Sequence, residues 1–125
     1  MTADYRTPVS RGHAWVAADD ERVVGLAILI PQDDHLLLEN MAVLPQAQGL
    51  GIGASLLALA EQVAGRRRLT QIRLYTNEAM TENLAYYPRH GYRPTHRAVQ
   101  DGFQRVYFIK DLAADRPVPG PGSAT

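Results

Sequence analysis

Apolar and polar positions along this chain change period near Pro45, and that change orders the predicted elements. His13 to Ala18 (HAWVAA) mixes apolar and β-prone residues, and Asp19-Asp20-Glu21 follows as a turn. Val23 to Ile30 (VVGLAILI) is a continuous apolar run of strand length, which predicts a strand buried on both faces. Pro31 to Asp34 supplies a second turn, and His35 to Leu44 (HLLLENMAVL) predicts a third strand, giving an antiparallel meander. After Pro45 the spacing becomes helical. Ile52, Leu56, Leu59, Ala60 and Val63 form one apolar stripe between Gly51 and Gly65. Gly65 followed by Arg66-Arg67-Arg68 suits a helix end, where cations favour the negative pole of the dipole. Gln71 to Thr76 returns to strand alternation, and Thr81 to His90 reads as a short helix stopped by Gly91. Tyr92 to Val99 and Phe103 to Leu112 form a hairpin around Gln100-Asp101-Gly102. The order βββ-α-β-α-ββ predicts an α+β fold, a mixed and mostly antiparallel sheet with packed helices. Residues 1–112 are expected to form one domain, and the Pro/Gly-rich stretch 113–125 a disordered tail.

Composition narrows the function classes. At 125 residues and 46% apolar content, one domain with a true core is expected. Thirteen basic and thirteen acidic side chains give no net charge, which argues against nucleic-acid or membrane-surface partners. No apolar run reaches the roughly 18 residues of a membrane span. Met1 to Gly12 is polar and lacks a signal-peptide core, so a cytoplasmic setting is expected. The absence of cysteine excludes a disulfide framework, a thiolate zinc site and a cysteine nucleophile, and no metal is expected.

The chemistry concentrates in Gln48-Gly49-Leu50-Gly51-Ile52-Gly53-Ala54, between a predicted strand and an amphipathic helix. Glycines there permit tight backbone conformations and close approach of main-chain N–H groups to a ligand. The first N–H groups of the following helix lack internal partners, so the turn favours a phosphate or pyrophosphate. Turn punctuation alone is the plainer reading of the same glycines. A P-loop is excluded because the chain has no Lys-Ser or Lys-Thr. Gly49, Gly51 and Ala54 formally match the dinucleotide fingerprint, but Leu69 to Thr76 lacks the required acidic residue and no βαβ unit opens the fold.

Val43-x-Pro45-x-x-Gln48-Gly49-x-Gly51-Ile52-Gly53, followed by Leu56-Leu57, resembles the acetyl-CoA signature of the GNAT superfamily of N-acetyltransferases. Glu82-Asn83-x-x-x-Tyr87-x-x-x-Gly91-Tyr92 resembles that family's second block, which ends Tyr-x-x-x-Gly-Phe/Tyr. The resemblance runs from about His13 to Leu112. It implies an acetyl-CoA-dependent enzyme that transfers acetyl to a primary amine, on a small molecule or a protein, by direct attack in a ternary complex. It also implies that backbone groups of Met41, Ala42 and Val43 bond the pantetheine arm. Main-chain N–H groups of Gln48, Gly49, Leu50, Gly51, Ile52, Gly53 and Ala54 would hold the pyrophosphate. Tyr87 would protonate the departing thiolate; an ordinary core tyrosine is the other reading. Asn83, one helical turn earlier, would bond the pantetheine or simply start a helix. Glu39 is the candidate base, because alternation puts it on the face of Met41 and Val43; a solvated sheet carboxylate is the alternative. Glu82 and His90 are weaker candidates.

The chain departs from the family pattern in two places. Family members carry a further strand and a helix pair before the strand at His13, which only twelve residues precede here. An uncovered strand edge and an uncovered sheet face then predict a homodimer. The second departure is Pro88, which disfavours helical geometry at Tyr87 and removes a bond to Leu84. The helix is therefore expected to kink or stop at Tyr87. A catalytically degenerate acyl-CoA-binding module is the alternative function.

Overall fold

The meander, helix and hairpin periodicities are all realised in the computed structural model, which describes residues 8–9, 13–19 and 22–112. Strands β1 (Pro8–Val9), β2 (Ala14–Asp19), β3 (Arg22–Pro31) and β4 (Leu36–Val43) precede helix α1 (Ile52–Arg66). Strand β5 (Gln71–Asn77), helix α2 (Thr81–Arg89) and the hairpin β6 (Arg93–Gln100) and β7 (Phe103–Asp111) follow. The seven strands form one sheet in the order β1-β2-β3-β4-β5-β7-β6. Among the described residues only the β4–β5 pairing is parallel. The tail expected over 113–125 lies outside the described residues.

Leu56, Ile52, Ile72, Leu36, Leu29 and Phe108 are the largest fully buried side chains, and they join α1 to the centre of the sheet. Ile72, Leu74 and Thr76 of β5 are buried, alternating with half-buried Gln71, Arg73, Tyr75 and Asn77. β3 departs from expectation. Its continuous apolar run buries Ala27 and Leu29, while Leu26, Ile28 and Ile30 are only half-buried. The run is therefore a one-sided strand among the described residues.

The edge of β2 also differs from the expectation of an unpaired strand. Pro8 pairs with Trp15 and Val9 with Ala14. A proline is tolerated there because β1, outermost among the described strands, has no outer neighbour among them to receive its missing N–H. The hairpin turn does follow the sequence: Asp101 and Gly102 take φ of 56° and 80°, the two positive values a two-residue loop of this kind requires.

Helix α2 does not stop at Tyr87. It continues through Pro88 to Arg89 and closes with Gly91 N–H donating to Pro88 C=O (3.1 Å) and Tyr92 N–H donating to Tyr87 C=O (3.2 Å). Gly91, at φ 92°, supplies the left-handed residue this closure needs. Because Pro88 lies in the last turn, its missing N–H removes one bond near a frayed end and not in mid-helix. At the end of α1 the left-handed position falls on Arg68 (φ 60°), not on Gly65, which stays helical.

Lys110 ties these parts together. Its Nζ donates to Glu61 Oε2 of α1 (2.6 Å) and to the His90 carbonyl after α2 (2.9 Å). Tyr92, behind this clamp, buries a hydroxyl with no hydrogen-bond partner among the described residues. An unsatisfied buried donor costs about 1–3 kcal/mol. Tyr92→Phe is therefore expected to raise the unfolding free energy by about 1 kcal/mol, read from the denaturant midpoint at unchanged slope. A loss of stability would mean that the hydroxyl is satisfied in solution.

Candidate functional site

β4 and β5 are paired at Leu36–Ile72 and Leu37–Arg73 and nowhere beyond, although β4 runs on to Val43 and β5 to Asn77. Past those pairs the two strands part. The facing backbone groups of β4 beyond Leu37 have no β5 partner and are open to an extended ligand. On the helix side of this gap lies a cleft of about 740 Å³, bounded by the end of β4, the glycine turn, the first turn of α1 and one face of α2.

The glycine turn forms one wall. A 3-10 turn over Pro45–Ala47 leads out of β4, and Gln48 Nε2 donates back to the Val43 carbonyl at 3.4 Å. Gly49 and Gly51 both take φ of 85°, and a Cβ at either would meet nothing within 4 Å. These two glycines are therefore required by backbone conformation and face open space. The first bond of α1 runs from Ser55 N–H to Gly51 C=O at 3.0 Å, with no side-chain cap and no acidic residue in the first turn. The N–H groups of Ile52, Gly53 and Ala54 are thus free to face an anion. Gly53 differs from the other two, since a Cβ there would stand 2.7 Å from the Tyr86 hydroxyl.

α2 supplies the opposite wall. Asn83, Tyr86, Tyr87 and His90 share one helical face and all line the cleft. Tyr87 is 7% exposed, edge-on to Tyr86 (5.4 Å, 81°) and Tyr92 (5.7 Å, 69°) and 5.9 Å from Phe108. Burial, and then the neighbouring Tyr86, push its phenol up to about 12. It is accordingly a protonated donor at neutral pH. The Tyr86 phenol is also raised by burial, and its ring lies 4.4 Å from that of His90. Asn83 Nδ2 donates to the buried Thr76 Oγ1 at 3.0 Å, which anchors α2 to β5.

Of the residues expected from sequence, Met41, Ala42, Val43, Gln48, Gly49, Gly51, Ile52, Gly53, Ala54, Asn83 and Tyr87 meet around this cleft. Leu50 is not among its lining residues; it points to solvent, 57% exposed. Glu39 is also elsewhere, and the alternation argument for it fails. β3 pairs Ile28 with Asn40 and Leu29 with Leu38, leaving Glu39 as the extra residue of a bulge. The bulge resets the alternation, so Met41 and Val43 reach the cleft while Glu39 meets the Tyr75 hydroxyl at 3.5 Å on the sheet face away from the helices. The cleft is also lined by Met80, Tyr86 and Arg89, which are not among the residues expected from sequence, and Tyr86 touches the glycine turn. Its spacing of three from Asn83 and four from His90 was the available signal.

Among the described residues no three His, Asp or Glu side chains converge as metal ligands, and no helix is long and apolar enough to cross a membrane. The extended edge of β4, the free amides of α1 and the buried phenol thus offer, around one cleft, backbone partners for an extended ligand, donors for an anion and a protonated hydroxyl.

Residues 10–94 match the family model described as an acetyltransferase (GNAT) domain. The uncharacterized protein YxbD of Bacillus subtilis (strain 168) is 35% identical over 75 residues, which are 60% of this chain and 46% of that protein. The chain thus spans about half the length of the curated relative it matches. Among solved structures, a GNAT family acetyltransferase from Elizabethkingia anophelis with acetyl-CoA bound aligns with a TM-score of 0.70 at 21% identity, over 79% of this chain and 75% of that one. Ard1 from Thermoplasma volcanium aligns with a TM-score of 0.75 at 15% identity, over 83% and 73%. At these identities the two structures speak to the fold.

The two kinds of glycine predict two outcomes. Gly51→Val forces a β-branched residue to φ 85° and is expected to displace the turn, weakening acetyl-CoA binding about tenfold or more in a protein of native circular dichroism. Gly53→Ala is expected to act through the Tyr86 hydroxyl, so that Tyr86→Phe restores its affinity. Undiminished binding by Gly51→Val would make these glycines turn residues only.

Proposed function

This chain belongs to the GNAT family of acetyltransferases, and from that premise we propose that it transfers the acetyl group of acetyl-CoA to a primary amine by direct attack in a ternary complex. The observation that carries this reading is the parting of β4 and β5 beside a buried, protonated tyrosine. On this reading residues 1–112 act as one domain. The pantetheine arm extends along Met41 to Val43 and the diphosphate sits on the amides around Gly51 to Ala54. The thioester is thereby brought to the gap between the strands.

The chemistry then asks that the nitrogen lose two protons and the sulfur gain one. Glu39, on the far side of the sheet, removes a proton from the incoming ammonium, directly or through water. The amine nitrogen attacks the thioester carbonyl carbon, the new C–N bond forms and the C–S bond breaks. Tyr87 gives its phenolic proton to the departing sulfur, the second proton leaves the acylated nitrogen and, through solvent, restores the Tyr87 phenol, and the proton held by Glu39 returns to solvent. Holding the amine and the thioester on one axis through the sheet converts a bimolecular attack into an oriented one. Of the two grounds for the alternative of a non-catalytic acyl-CoA module, the one at Pro88 is weakened, since α2 runs through that residue to a closed end.

The homodimer has lost part of its premise, since β1 pairs with the edge of β2. Half-buried Leu26, Ile28 and Ile30 on the sheet face away from the helices are what still supports it.

Acetyl-CoA is expected to raise the melting temperature and NAD to leave it unchanged. Native-state binding adds about 2.7 kcal/mol at a hundredfold excess over Kd. Equal shifts would favour a dinucleotide site. Tyr87→Phe is expected to lower kcat by about 10²–10⁴-fold with little change in acetyl-CoA affinity. An unchanged rate would remove Tyr87 from the reaction.

A further inference from the structure

The sheet face away from the helices carries two opposite charges that touch the same ring. Glu39 accepts from the Tyr75 hydroxyl (3.5 Å), and the Arg105 guanidinium carbon lies 4.6 Å from the centre of the Tyr75 ring. Cross-strand pairing puts Asn77 opposite Arg105 and Tyr75 opposite Tyr107, so Tyr75, Arg105 and Tyr107 share this face. Glu39 stands two residues beyond Leu37 and Tyr75 two beyond Arg73, the last pair before β4 and β5 part. Both therefore stand at the mouth of the gap through which an acceptor would reach the thioester.

Neither charge is neutralised by an ion pair among the described residues. The other arginines of β5, β6 and β7 are engaged: Arg73 with Asp34 and Gln71, Arg93 with Asp111, and Arg97 with Glu78. Arg105 has no carboxylate partner among the described residues, and its Nε is buried without a hydrogen bond. A half-buried guanidinium left unpaired is costly, and stacking on a tyrosine fixes its plane while its Nη1–Nη2 edge takes no hydrogen bond among the described residues. Such an edge matches a carboxylate bidentately.

We propose that Glu39 and Arg105 are the two poles of an acceptor site for a free α-amino acid, whose ammonium meets Glu39 and whose carboxylate meets Arg105 across the Tyr75 ring. This rests on the amine-acetylation reading above, and the bonds made and broken are those given there. The amine is then delivered beside its base at the gap, and the carboxylate sets its orientation. Tyr75 acts as a positioning residue that holds both poles, and Tyr107, 5.5 Å from it, extends the floor toward β6.

The test compares free α-amino acids with their own α-carboxamides as acceptors, reading CoA release from acetyl-CoA. A carboxamide has the more acidic ammonium and is intrinsically the easier amine to deprotonate, so a preference for the acid runs against reactivity. The wild-type protein is expected to favour the acid in kcat/KM by about ten- to hundredfold, the scale of one charge-assisted contact. Arg105→Gln is expected to collapse that ratio toward one, mainly through KM for the acid. Because the ratio is taken within one variant, it is independent of the amount of folded protein. Equal use of acid and carboxamide by the wild type, or a ratio that survives Arg105→Gln, would overturn the proposal and leave amine acetylation standing. Release of CoA with other primary amines but with neither the acids nor the carboxamides would likewise overturn the proposal alone, whereas release with no primary amine at all would bring down the transferase reading and this proposal with it.

Discussion

The site depends on one interrupted pairing. Among the described residues β4 and β5 are the only parallel neighbours in the sheet, and they hold together for two residue pairs before separating. The antiparallel neighbours stay paired almost throughout, from Gly25–Val43 on one side to Asn77–Arg105 on the other. The sheet is thus two well-knit halves hinged at Leu36 and Leu37. An unpaired β edge inside a sheet would ordinarily be costly, because its N–H and C=O groups want partners. A ligand that can pair with an extended strand supplies them, and helix α1 begins close enough to the same gap for its free amides to line the cleft.

That arrangement needs α2 to stay where it is. Asn83 bonds Thr76 at one end of the helix, and Lys110 holds the His90 carbonyl at the other while pairing with Glu61. The rings of Tyr86, Tyr87, Tyr92 and Phe108 fill the space between. Tyr87 is held by its own backbone as well, through the Tyr92 N–H. Its phenol is raised by the same burial that fixes its position, so one packing decision sets both aim and protonation state.

The two faces of the sheet divide the labour. Toward the helices the surroundings are apolar, aromatic and rich in backbone donors. On the other face the bulge at Glu39 and the ring of Tyr75 bring unlike charges to the gap from the opposite side. Burial and the nearby Glu39 raise the Tyr75 phenol, so it remains a donor to that carboxylate. A bulge in one strand is what lets a single short segment, Glu39 to Val43, serve both faces.

The periodicities of 2 and 3.6 were sufficient for the order of strands and helices from β2 onward, but not for the two-residue β1. The clustering of glycines before an amphipathic stripe was sufficient for a tight turn into an uncapped helix start, because both signals are local. Gly91 also announced its role, since only a left-handed residue closes α2 as it does. Three matters were decided by the tertiary structure. The bulge at Glu39 is a property of pairing with β3, and no pattern within β4 alone marks the extra residue. Pro88 reads as a helix breaker in sequence, yet it falls where the helix ends and few bonds remain to be lost. Arg105 is one of twelve arginines in the chain, and nothing around it in sequence separates it from the others. Its distinction arises only when β7 lies beside β5 and sets its guanidinium over the ring of Tyr75, since charge compensation is settled by neighbours in space and not along the chain.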